Sequence, residues 1–99
     1  MRTQTRGRER GVPAWIVTRA DLTEPERRLA ALIAVRSNRD GECCLNNLAL
    51  ARALAMPAPA VRVLLSRLID RGLVTLDVAR SPSGGWERRL TLAGEEAER

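Results

Sequence analysis

The sequence predicts a mainly α-helical domain finished by a small β-hairpin: a three-helix core with a two-stranded extension. Three observations carry that prediction. Between Asn46 and Gly72 two consecutive segments place apolar residues at the spacing that lines one helix face, Leu50, Ala51 and Leu54 in the first, then Val61, Leu64, Leu65 and Leu68. Only Ala55, Met56 and Pro57 separate the sets, too few residues for anything but a sharp turn. After Gly72 the apolar period becomes that of a strand.

Composition sets the limits. Ninety-nine residues imply one domain with a modest core, small enough that oligomerisation adds useful burial. A hydrophobic fraction of 44% argues for a folded body. With no Phe and no Tyr, the core must be built from Leu, Val, Ile and Ala, which favours helices. All 17 basic residues are arginine against 12 acids, a net charge of +5. Glu95, Glu96 and Glu98 sit in the last five residues, so the rest of the chain is more basic still. Such a surface attracts polyanions, and arginine forks onto phosphate; the alternative is an arginine-biased coding sequence without functional meaning. Cys43 and Cys44 are adjacent and cannot staple distant segments, so a reducing cytoplasm is the expected setting. The longest apolar run, residues 29–35, is far short of a membrane span. No apolar stretch of signal-peptide type follows the Arg-rich start.

In chain order, residues 1–11 read as a flexible basic arm carrying Arg6, Arg8 and Arg10, and residues 12–99 as the folded domain. Residues 13–17, PAWIV, give an apolar anchor in which Trp15 and Ile16 pack on the helical body. Residues 21–36 form the first long helix: Thr23 and Glu26 have capping-box spacing, and Pro25 lies in the first turn, where its missing N–H does no harm. Leu29, Leu32 and Ile33 make its buried stripe, Ala30, Ala31 and Ala34 allow close approach, and Arg27 and Arg28 face water or a partner. Residues 37–42 are a turn around Gly41, and residues 42–45 a short strand in which one cysteine points inward and the other outward.

Asn46 caps the second helix. Ala51 is small where the two helices approach, Met56 plugs the corner, and Ala55 takes the left-handed position often held by glycine. The third helix is expected to start at Pro59, with Ala58 just outside it because a residue before proline avoids the α region, and to end at Gly72. Val74, Leu76 and Val78 then alternate with Thr75 and Asp77, a Gly-rich loop follows, and Trp86, Arg88, Leu90 and Leu92 resume the alternation. Thr91 would cap a short terminal helix.

Residues 46–72 resemble a helix-turn-helix, although an αα-hairpin without a DNA role shares the apolar spacing. A helix-turn-helix followed by such a hairpin is a winged helix-turn-helix. The run from Arg67 to Ala97 resembles winged-helix transcription regulators of the multiple antibiotic resistance regulator (MarR) type, and small phage and plasmid winged-helix proteins. Leu68, Arg71, Gly72, Leu73 and Val74 match that family's pattern at the end of the recognition helix. Arg88, Arg89, Leu90, Thr91 and Gly94 match its wing exit, and the similarity covers residues 22–97. The long terminal helices through which that family dimerises have no counterpart in this pattern, so its dimer mode does not transfer.

The resemblance implies a cytoplasmic, sequence-specific DNA-binding regulator, a repressor, binding double-stranded DNA as a homodimer with the recognition helix in the major groove. Arg62 would read a base. Ser66, Arg67 and Arg71 would hold phosphates or the groove wall, and Arg80, Arg88 and Arg89 would belong to the wing. Arg6, Arg8 and Arg10 would follow phosphates or enter a minor groove, unless the arm is only a solubilising tail. The start of the recognition helix, Pro57, Ala58, Ala60 and Val63, is poor in groups that bond base edges. It motivates the alternative of a protein-binding winged helix, such as a phage-encoded inhibitor of a host nucleic-acid machine or a subunit of a replication assembly. The sequence has no His, no convincing carboxylate pair and no phosphate-binding glycine loop, so no catalytic, cofactor, metal or membrane role is expected.

Overall fold

The computed structural model describes residues 12–94. Four helices pack on a three-stranded antiparallel sheet: α1 (Ala14–Thr18), α2 (Glu24–Val35), β1 (Glu42–Cys43), α3 (Asn47–Leu54), α4 (Ala58–Asp70), β2 (Val74–Arg80) and β3 (Trp86–Leu92), in sheet order β1-β3-β2. The basic arm lies outside the described residues, as do residues 95–99 of the expected terminal helix. Thr91 does not cap that helix: it lies within β3, opposite both Glu42 and Thr75, because the ladder continues to Leu92.

The local signals in α2 act as the sequence predicts. Thr23 Oγ1 accepts the Glu26 N–H at 3.3 Å and Glu26 Oε1 accepts the Thr23 N–H at 2.9 Å, closing a capping box on a helix whose first turn holds Pro25. The buried stripe of α2, Leu29, Ala30, Ile33 and Ala34, meets Leu50, Ala51 and Leu54 of α3 and Val61, Leu64, Leu65 and Leu68 of α4 in one core. Trp15 and Ile16 of α1 close its far side, with the indole N–H donating to the Ala93 carbonyl at 2.9 Å. That segment is a helix rather than a bare anchor, and Arg27 stabilises its end, bonding the carbonyls of Ile16, Val17, Arg19 and Leu22. Arg27 therefore does not face water, and Arg28 reaches back to the Leu54 carbonyl at 3.3 Å.

Asn46 Oδ1 accepts the Ala49 N–H and starts α3, which ends on Ala55 at φ 56°. The Met56 N–H bonds the Ala51 carbonyl and the Ala55 N–H that of Arg52, the Schellman arrangement built on a residue with a Cβ. Holding alanine left-handed costs on the order of 1 kcal/mol. Ala55→Gly is expected to recover about that much, raising Tm by roughly 4–8 °C in a thermal melt.

Across Ala55–Pro57 the axes of α3 and α4 bend by 105°. Helix α4 starts at Ala58, one residue before the expected Pro59: Pro57 is the cap, and its carbonyl accepts the Ala60 and Val61 N–H groups, which draws Ala58 into the first turn. At its other end Gly72, at φ 74°, closes a second Schellman motif, with the Leu73 N–H on the Leu68 carbonyl at 2.9 Å. Leu73 and Val74 are thereby turned into the core, and the hairpin starts in a fixed direction.

Candidate nucleic-acid interface

The register decides what each face of the hairpin carries. Val74 pairs with Leu92, Leu76 with Leu90, Val78 with Arg88 and Arg80 with Trp86, so these eight side chains share one face. Leu90 and its other neighbour Cys43 are fully buried, which identifies it as the inner face. The outer face carries Thr75, Asp77, Ala79, Glu87, Arg89 and Thr91, together with Glu42 of β1. The inner face thus has Arg80 and Arg88 with no acid. The outer face has three carboxylates to a single arginine.

This arrangement separates the expected contact residues into engaged and available groups. Arg89 lies on the acidic outer face, with Nη1 3.5 Å from Glu42 Oε1 and Nη2 3.3 Å from Glu87 Oε2. Arg88 points inward and docks the hairpin on the start of α3, donating at 2.7 Å to both Asn47 Oδ1 and the Leu45 carbonyl. Burial draws its guanidinium below the usual arginine range. Arg71 Nη1 bonds Glu26 Oε1 at 3.0 Å across 45 residues of chain. Burial pushes the Glu26 carboxyl up, but the Thr23 N–H and Arg71 outweigh it and leave it below the ordinary glutamate range. Three of the expected contacts therefore have intramolecular work.

The available set lies on α4 and the hairpin's inner face. Arg62 and Ser66 are exposed one helical turn apart, and among the described residues neither side chain has a hydrogen-bond or ion-pair partner. Arg67 is 55% exposed, and at 3.8 Å from Glu26 Oε2 it is beyond hydrogen-bond reach, so its guanidinium keeps its donors. Arg80 sits over the Trp86 ring, 5.2 Å from its centroid. Asn47, Ala58, Pro59 and Arg62 line a shallow cavity of about 290 Å³ where α3 meets α4. Through Asn47 that cavity adjoins Arg88 and so the inner face of the hairpin.

The start of α4 is a weak phosphate clamp. Pro57 and Pro59 have no N–H and the Ala60 N–H is taken by the Pro57 carbonyl, so of the first turn's donors Ala58 alone remains. Ala58 and Ala60 are half-buried, and Pro57, Pro59 and Val63 form the bare apolar part of that end. The cysteines divide as expected, Cys43 inward and Cys44 outward. Partial burial of its sulfur, then the Glu87 carboxylate 3.7 Å away, push the Cys44 thiol up, which disfavours the reactive thiolate that a redox switch needs.

Sequence reasoning places Trp86 on a strand and misses its exposure, which follows only when the hairpin register puts it beyond the reach of the core. No family model, curated protein or solved structure matches the chain. No single helix among the described residues is long and apolar enough to cross a membrane.

Proposed function

We propose that the domain is a winged helix-turn-helix that binds double-stranded DNA as a homodimeric transcriptional regulator, a repressor in the cytoplasm, with no catalytic activity. The observation that carries this reading is the 105° bend between α3 and α4 across a three-residue turn, with unpaired Arg62 and Ser66 on the outward face of the second helix. Helix pairs at roughly 90–120° are the geometry that presents a recognition helix to a major groove. The hairpin then acts as the wing, and its acid-free inner face supplies Arg80 while the acidic outer face keeps phosphates from the other side.

In this account Arg62 reads a base edge, and Ser66, Arg67 and Arg80 hold phosphates. Arg71, Arg88 and Arg89 contribute by fixing α4 and the wing, a narrower contact set than the sequence alone suggests. A gel-shift titration on duplex DNA across salt concentrations tests it. Two or three phosphates neutralised per copy predict a slope of log affinity on log salt of about −4 to −5 for a dimer. Absence of binding even at low salt would leave the alternative, a protein-binding winged helix that uses the bare Pro57 and Val63 end of α4 together with Ala58 and Ala60.

A further inference from the structure

The distal half of the hairpin carries an apolar surface that the core does not use. Trp86 is 68% exposed, Val78 54% and Leu76 42%, all on the inner face, where alternation alone would place buried residues. The core stops at Val74, Leu90 and Cys43, and the strands run on beyond it. The loop that joins them is held by the Ser81 N–H on the Gly85 carbonyl and the Gly84 N–H on the Ser81 carbonyl, so the strands stay paired out to Arg80 and Trp86. An exposed tryptophan and two aliphatic side chains on one face form a surface that a monomer has no structural reason to keep bare.

Charge selects the occupant. The face presents Arg80 against the Trp86 ring, the docked Arg88 adds its charge two residues further along, and every acid of the sheet is on the opposite side. A cationic aromatic platform favours a partner that is both anionic and planar, and an unpaired nucleotide is both: its phosphate meets the arginine and its base lies on the indole. A second copy fits less well. Two such faces laid together would bring the like-charged Arg80 and Arg88 of both copies into one seam with no acid on either side.

We propose that Trp86, with Arg80 and the flanking Val78 and Leu76, is a stacking platform for unpaired nucleotides. The preferred ligand is then a duplex that adjoins a short single-stranded stretch. The inference rests on the nucleic-acid reading above and extends it. The duplex lies on Arg62, and the chain of Arg62, Asn47 and Arg88 connects that position to the platform. An intact duplex keeps its bases stacked inside, where the indole cannot reach them.

The two tryptophans make the test direct, because Trp15 is fully buried while Trp86 is not, so quenching of emission by stacked bases reports on Trp86. The full chain is titrated with a blunt duplex and with the same duplex carrying a single-stranded extension. The expected result is tighter binding of the extended DNA, with strong quenching. Trp86→Ala is expected to lose roughly tenfold in affinity for the extended DNA and little for the blunt one. Trp86→Phe, which keeps a stacking ring, is expected to retain most of that affinity. Equal affinity for the two DNAs with unchanged emission overturns the platform while leaving duplex binding intact. Failure to bind either DNA overturns both readings.

Discussion

Arg71→Ala is expected to destabilise the fold by about 2–3 kcal/mol in urea unfolding at pH 7. The reason is the partner it leaves behind: Glu26 is 1% exposed, one of its oxygens already lacks a hydrogen bond, and without Arg71 its charge would be held only by the capping box and the more distant Arg67. Removing one member of a buried ion pair costs about 3–5 kcal/mol, and the 35% exposure of Arg71 places this pair below that range. Glu26→Gln in the Arg71→Ala background removes the stranded charge and is expected to restore part of the loss.

The pH dependence separates this from simple loss of packing. In the wild type the folded Glu26 carboxyl titrates below its unfolded value, so its contribution is complete above the ordinary glutamate range and is lost as pH falls through the lower, folded value. In Arg71→Ala burial dominates, the folded value rises, and protonation relieves the stranded charge. The stability gap between variant and wild type is therefore expected to shrink as pH is lowered from 7 towards 4. A gap independent of pH contradicts the ion-pair account.

Arg62→Ala is the second large effect, and it falls on binding. Arg62 is the one exposed, unpaired arginine among the described residues of α4, since Arg67 leans towards Glu26. A bidentate arginine on guanine contributes about 1–3 kcal/mol of discrimination. The variant should accordingly lose roughly 5- to 150-fold in affinity for a preferred sequence and much less for random duplex. Equal losses on both would make Arg62 a phosphate contact. Arg89→Ala, on the acidic outer face, is expected to change affinity for either DNA far less.

The elements that chain-local chemistry dictates were legible in the sequence. The Thr23–Glu26 capping box, the Asn46 cap, the turn at Ala55 and the stop at Gly72 each need only a few neighbouring residues, and each appears where those residues put it. Helix α1 was not legible because its five residues are too few to show a period, and it depends on Arg27 from the next helix to satisfy its carbonyls. The one-residue error at Ala58 arose where a local bias against helix before proline lost to the two bonds accepted by Pro57.

The candidate site was less legible than the fold, since an arginine's availability depends on partners far along the chain. Nothing near Arg71 announces Glu26, and nothing near Arg88 announces Asn47. Alternation gives each strand of the hairpin its two faces, but that Val78 and Trp86 share one of them, and where the core ends on it, follows only from the register.

Selection of bound fragments from a random duplex library tests the central claim most directly, because it reads binding, sequence preference and two-fold symmetry together. The expected result is enrichment of a short motif repeated in inverted orientation, with half-sites about 34 Å apart, one helical turn, and loss of that enrichment in Arg62→Ala. Recovery of the input pool unchanged at low salt would contradict it.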